Sequence, residues 1–259
     1  MLDRFFRFVL NIATHLRNPM IVNEHFVPKL GLELEPYLQR KDRNAAHHLT
    51  HYLWAVAVVE DLPSVRAVLD VACGSGYGSY MIARRFPHIQ VVGADYDRTA
   101  LRYAAGHFSL PNLSFKFGDV ALWDKTIGSD IFDCIISYET IEHVPHREIM
   151  MENLVNHLND DGYFLMTTPC GWEENLLRPR WPMHKIEYSS ASLYDFMRRY
   201  FVTIIRPDEK RVPGEPPFPH RHLFEHLHAN GIEYNLRMNP AVCYQPIKFK
   251  NPYRLPGQE

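Results

Sequence analysis

The chain is poor in the features that mark several large functional classes. Its four cysteines, Cys73, Cys134, Cys170 and Cys243, lie far apart and form no C-x-x-C pair. Neither a zinc knuckle nor a redox motif is therefore legible. Cys134 sits in an apolar run and reads as a small core residue. No uninterrupted apolar run reaches the roughly 18 residues that argue for a membrane-crossing helix, so stable membrane insertion is not expected. A formal net charge of -2 gives no general attraction to nucleic acid or to an anionic bilayer. There is no internal repeat and no low-complexity tract. The first residues, M-L-D-R-F-F-R-F-V-L-N-I-A, carry Asp3, Arg4 and Arg7 and no small-residue cleavage site, which argues against a secretory signal. A cytoplasmic protein with reduced thiols is the expectation.

What is present is an ordinary globular composition, 46% hydrophobic and 22% charged over 259 residues, long enough for one large domain with a sizeable core. The chain is organised around V-L-D-V-A-C-G-S-G-Y-G-S, Val68 to Ser79. Val68, Leu69 and Val71 read as a short buried strand, Asp70 interrupts it near its end, and glycines follow at 74, 76 and 78. Alternate glycines let the main chain take positive φ and let a ligand lie against bare backbone. A helix starting near Tyr77 and ending at Phe86-Pro87 aims its unpaired N–H groups into the same space. Glycine-rich loops serve nucleotides of several kinds. A carboxylate on the floor of this one, Asp70, would repel a pyrophosphate and suits a ligand carrying an ammonium and a sulfonium, which describes S-adenosylmethionine.

V-L-D-V-A-C-G-S-G-Y-G resembles motif I of the class I S-adenosylmethionine-dependent methyltransferases. The resemblance covers about residues 45 to 205. It implies a doubly wound, Rossmann-like α/β fold, with a mostly parallel seven-stranded sheet whose last strand is antiparallel, and S-adenosylhomocysteine as product. The residues agree with such a fold: from Ala67 strand and helix patterns alternate. Strands are predicted over Ala67–Val71, Gln90–Ala94, Leu113–Phe117 and Phe132–Ser137. After a turn at Asn159–Gly162 they continue over Tyr163–Thr167, Phe201–Ile205 and Ala241–Phe249. In such sheets ligands bind beyond the carboxyl ends of the strands.

Residues 1–44 read as an N-terminal helical extension, in which Phe5, Phe6, Phe8, Val9, Ile12 and Ala13 recur at helical spacing. Docking on the protein's own body or on a second subunit, as in a homodimer, is expected; resting on a membrane surface is the alternative. Residues 45–259 read as the cofactor-binding domain, with a long active-site loop over 170–188 and a proline-rich insertion over 207–240. A helix over Asn44–Glu60 has Leu49, Tyr52, Leu53 and Val56 on one face. Its other face carries His47, His48 and His51, expected to be solvated; the resemblance implies a lid over the cofactor.

Asp95 follows the second strand nineteen residues after Gly76, where a carboxylate accepts both ribose hydroxyls. That spacing also fits a nicotinamide dinucleotide; Asp70 and the G-x-G-x-G spacing favour the methyl donor. The resemblance implies contacts to the cofactor from Ala72, Gly74, Ser75 and Gly76 of the loop. It further implies that Tyr96 packs beside adenine, that Asp119 and Val120 meet the adenine edge, and that Ser137 faces the methionine moiety through its backbone. Asp119 alone also reads as a turn residue.

The segment S-Y-E-T-I-E-H-V, Ser137 to Val144, resembles the one found after the fourth strand in ubiquinone-biosynthesis O-methyltransferases and related sugar and small-molecule methyltransferases. Were it one helical turn, Glu139, Glu142 and His143 would share a face. His143 is then a general base whose tautomer a carboxylate fixes. Alternatively the three hold a divalent cation, or they merely cap a helix. His184, in M-H-K-I-E-Y-S, stands where related enzymes place a loop histidine. His220, His222, His226 and His228 read as a packed or solvated helix rather than a metal site.

The expected reaction is methyl transfer to a hydroxyl of a small molecule, a sugar, glycan or natural-product metabolite, with Trp172, Trp181 and Tyr188 as apolar faces for it. No nucleic-acid partner is expected; a divalent metal stays an open alternative and is not predicted. The alternatives are a protein or nucleic-acid methyltransferase, a nicotinamide-dependent oxidoreductase, and a non-catalytic module on the same fold.

Overall fold

The computed structural model describes residues 25–171, 176–179, 182–206, 216–229 and 238–250, with side chains of 226–229 excepted. The amphipathic run of the extension, Trp172, Trp181, most of the proline-rich insertion and the side chains of His226 and His228 lie outside the described residues.

In chain order the elements are α1 (Glu35–Gln39), α2 (Arg43–Glu60), β1 (Ala67–Val71), α3 (Tyr77–Arg85), β2 (Gln90–Asp95), α4 (Arg98–His107) and β3 (Leu113–Phe117). There follow α5 (Trp123–Thr126), β4 (Phe132–Tyr138), α6 (Arg147–Asn156), β5 (Leu158–Thr167), α7 (Ser190–Met197), β6 (Phe201–Ile205), α8 (His222–Ala229) and β7 (Ala241–Pro246). The sheet runs β3-β2-β1-β4-β5-β7-β6. Neighbours among β1 to β5 pair in parallel, and β7 lies antiparallel between β5 and β6. The expected architecture, including the antiparallel last strand, is the observed one. Strand order reverses between β1 and β4, which opens a crevice at their carboxyl ends.

Two apolar layers sandwich the sheet. On one side α2 and α3 pack through Leu49, Trp54 and Ile82 against Val68 and Ile136. On the other, Met151, Leu154 and Met197 pack against Leu69, Ile135 and Phe164. Burial on both faces is why the β1 and β4 runs are apolar without alternation. Asp42 starts α2 by accepting from the Ala45 N–H.

Four elements depart from expectation by more than a residue. The polar run Asn159–Gly162 is not a free turn: β5 already begins at Leu158, opposite Phe132, and the register shifts before Cys134 meets Tyr163. The run is thus an irregularity within the strand, held by the Asn159 amide on Asp133. Two short helices, α1 and α5, interrupt segments read as connections; Pro36 lies in the first turn of α1, where its missing N–H costs nothing. Finally, β7 stops at Pro246 rather than Phe249. Among the described residues no helix is long and apolar enough to cross a membrane.

Candidate active site

The carboxyl ends of β1 to β5 carry the polar residues singled out above. Asp70, completely buried, accepts from the Tyr52 hydroxyl at 3.0 and 3.2 Å and from Ser79 Oγ at 2.6 Å. Burial pushes its carboxyl up to about 7, the Ser79 and Tyr52 hydrogen bonds opposing the shift. Asp70 was expected to face the ligand's cationic groups. Its donors come instead from α2 and α3, so it ties these helices to β1 beneath the loop.

Packing by itself requires two of the three loop glycines. A Cβ on Gly76 would lie 2.6 Å from the Ala104 methyl and 2.8 Å from the Phe115 ring, and one on Gly78 would lie 2.0 Å from the Tyr52 ring. A Cβ on Gly74 would stand 3.0 Å from His25 Nδ1. The turn itself needs left-handed backbone at Ala72, Gly74 and Gly76 (φ 59°, 54° and 80°).

Asp95, at the end of β2, is 2% exposed. Its Oδ2 accepts from the Gly74 N–H and its Oδ1 from the Asp97 N–H, both at 2.8 Å. Burial raises its carboxyl while these backbone donors hold it down. Ser75 Oγ donates to the Phe26 carbonyl, and His25 Nε2 lies 3.2 Å from Asp97, so the chain around residue 25 crosses the loop. Tyr96 projects from the rim, 73% exposed. Asp119 accepts from the Ala121 N–H at 2.9 Å, the turn role read for it, and the Val120 carbonyl accepts from Asn153. Ser137 is buried and its Oγ has no protein hydrogen-bond partner.

Beyond β4 the chain does not continue as one helical turn. Glu139 has φ 51°, and its N–H donates to the Thr167 carbonyl; a turn follows, with the His143 N–H on the Thr140 carbonyl. This backbone sends the side chains apart, and Glu139, Glu142 and His143 do not form one ligand set. Glu139 reaches α2, with Oε2 4.0 Å from His47 Nε2 and Oε1 accepting from Thr167 Oγ1 at 3.4 Å. Glu142, wholly buried, accepts on Oε2 from Thr168 Oγ1 at 2.9 Å, while its Oε1 lies 3.8 Å from His143 Nε2. Burial pushes the Glu139 carboxyl up to about 7 and, with the charge of Glu139, raises Glu142 well above the usual carboxylate range.

His143 and His184 meet edge to face, ring centres 4.8 Å apart. A carboxylate was expected to fix His143; the one that fixes an imidazole is Glu187, on His184 Nδ1 at 2.6 Å, while Glu142 Oε1 stays 3.8 Å from His143 Nε2. Glu187 was missed, although its spacing from His184 in H-K-I-E was available as a signal. Of the α2 histidines only His47 and His48 reach solvent, both half-buried; His51 is 1% exposed, and His48 stacks on Phe26 with ring centres 5.0 Å apart. Burial and the neighbouring His47 push His48 down to about 3 and hold His51 well below its ordinary value. Tyr188, expected to face the acceptor, is a core residue packed on Phe196. His220 pairs with Asp61 at 2.8 Å.

Residues 64–200, more than half of the chain, match the model of a family described as a methyltransferase domain. A trans-aconitate 2-methyltransferase of Deinococcus radiodurans is 31% identical over 114 residues, 44% of this chain and 42% of that protein. A probable S-adenosylmethionine-dependent methyltransferase of Mycolicibacterium smegmatis is 26% identical over 182 residues, 68% of this chain and 63% of that protein. The chain thus spans less than half the length of the first of these relatives and under two thirds of the second. Among solved structures, the N-terminal domain of EvdMO1, crystallised in the presence of SAH and D-fucose, superimposes with a TM-score of 0.56 at 16% identity, over 75% of this chain and 82% of that one.

Proposed function

The chain belongs to the class I S-adenosylmethionine-dependent methyltransferases, and on that premise we propose that it methylates a hydroxyl of a small polyhydroxylated molecule, a sugar or natural-product metabolite. The supporting observation is the chemistry beyond β4 and β5. The wholly buried Glu142, the half-buried Glu139 and the His143–His184 pair stand there, and among the described residues no lysine or arginine side chain pairs with Glu139 or Glu142. A carboxylate acceptor calls for a cationic partner, the fork of an arginine above all. A hydroxyl acceptor calls for a base, which an imidazole supplies near neutral pH.

The residues fit the cofactor. The carboxylates at the ends of β2 and β3 keep acceptor capacity beyond their backbone bonds, since each oxygen carries two lone pairs, and the buried Ser137 hydroxyl has its hydrogen-bonding capacity unused. Asp95 would take the ribose hydroxyls, Tyr96, Asp119 and Val120 the adenine, and Ala72, Gly74, Ser75, Gly76 and Ser137 the remainder, with Asp70 holding the loop from below. S-adenosylmethionine, when bound, supplies the electrophilic methyl group.

The protein's own part is alignment and proton removal. Holding the acceptor oxygen in line can contribute about 7–11 kcal/mol, and a positioned base about 10²- to 10⁴-fold. Glu187 accepts from His184 Nδ1–H and so leaves Nε2 as the basic nitrogen; His143 packs edge to face beside it, and this pair takes the hydroxyl proton. Comparing kcat/KM on a hexose and on the matching uronic acid, in which a carboxyl replaces only the 6-hydroxyl, and locating the methyl group in each product, tests the reading. The hexose is expected to be methylated. Turnover of the acid alone, at its carboxyl, contradicts it.

A further inference from the structure

Apart from the imidazole pair assigned to proton transfer, the same strand ends hold a second cluster. His47 and His51 lie one turn apart on the same face of α2, and Glu139 reaches them from the end of β4. One donor atom of each lies within 4.8 Å of the others. We infer that His47, His51 and Glu139 bind a single divalent transition-metal cation of the zinc or ferrous type.

The decisive atom is His51 Nε2. The ring is 1% exposed, yet Nε2 has no hydrogen-bond partner, a costly state for a buried polar atom. On the other side of the ring Nδ1 lies 3.4 Å from Thr167 Oγ1, the arrangement in which a non-ligating nitrogen is fixed by a second contact. The ring is held by Tyr138 and Phe224, with centres 5.6 and 6.3 Å away. His47, its ring centre 4.3 Å from that of His51, and Glu139 are partly exposed and form the entrance.

Glu139 is held in left-handed backbone, uncommon for a glutamate, by the Thr167 carbonyl. That conformation turns the carboxylate toward α2. Donors on a tetrahedral metal at about 2.1 Å are roughly 3.4 Å apart, so binding draws the three donors together from a spacing of at most 4.8 Å. Two imidazoles and one carboxylate favour zinc, ferrous iron or manganese over magnesium or calcium, which prefer all-oxygen shells. The neighbouring Glu142–His143–His184 group has similar spacing. Its two imidazoles are the pair assigned above to proton removal, a role that a metal on their nitrogens would displace.

The test needs no substrate. The full chain is stripped with a chelator, dialysed against Zn²⁺, and its bound metal measured by mass spectrometry. The wild type is expected to hold one equivalent, His184→Ala to keep it, and His51→Ala to weaken retention at least tenfold. Should His51→Ala fail to fold, Glu139→Gln, altered at the site's exposed side, gives the same readout and is expected to show the same loss. No metal above background in the wild type overturns the inference, as does full retention by His51→Ala or, where that variant does not fold, by Glu139→Gln. Neither result touches the methyl-acceptor reading, which the product chemistry tests separately.

Discussion

The hydroxyl of Tyr52 donates to both carboxylate oxygens of Asp70, at 3.0 and 3.2 Å, across the interface between α2 and β1. The same tyrosine ring fills the space that Gly78 leaves at the start of α3. One side chain therefore joins the helix before the motif, the acidic residue in it and the last glycine of it. Tyr52→Phe is expected to destabilise the protein by about 1–3 kcal/mol, the cost of removing a donor from a buried carboxylate. Gly78→Ala should cost at least as much through overpacking. Denaturant midpoints of the two variants check both values.

Asp70 makes stability pH-dependent in the opposite sense to a surface aspartate. Its folded-state pKa, about 7, exceeds the ordinary aspartate value of 3.8, so the folded chain binds the extra proton between these values. Its contribution is fully present below about pH 4 and is lost as pH rises through about 7. The difference is worth at most about 4 kcal/mol. Asp70→Asn, which still accepts from Ser79 and Tyr52, should flatten that slope and raise the melting temperature at pH 8 relative to wild type. An unchanged slope would show that the Asp70 carboxyl does not titrate in this range.

Asp95→Ala removes the acceptor of the Gly74 and Asp97 N–H groups together with the carboxylate assigned to the ribose. S-adenosylhomocysteine affinity by calorimetry should fall at least about 100-fold, two hydrogen bonds to a charged group at roughly 1.5–3 kcal/mol each. Unchanged affinity would remove Asp95 from the cofactor site.

His143→Ala and His184→Ala should each lower kcat by about 10²- to 10⁴-fold while leaving S-adenosylhomocysteine affinity within about twofold. Glu187→Gln should reproduce part of the His184→Ala loss, because the tautomer is no longer fixed by a charge. Equal loss of affinity and turnover would make the pair structural.

The strands and the loop were legible because buried parallel strands are short apolar runs that local sequence displays, and because motif I is a contiguous signature; the order of the strands was not read from the sequence. Where β5 begins was not, since the pairing of Leu158 with Phe132 is decided across the sheet and Asn-Asp-Asp-Gly is turn chemistry taken locally. The sharing of a face by Glu139, Glu142 and His143 failed on one dihedral angle. Nothing in a glutamate announces φ 51°. The burial of His51 was hidden for a related reason: α2 is covered on more than one side, by α1, α3 and α8, so its second face is not the solvated face that an amphipathic reading supplies.

The central claim is that the base pair beyond β4 serves a hydroxyl acceptor. The measurement that tests it most directly is the chemical character of the methyl product. Methyl-labelled S-adenosylmethionine is turned over on an acceptor bearing both hydroxyl and carboxyl groups, and the product is heated in alkali. Label retained in a base-stable ether is the expected result; label released as methanol, from an ester, contradicts the account.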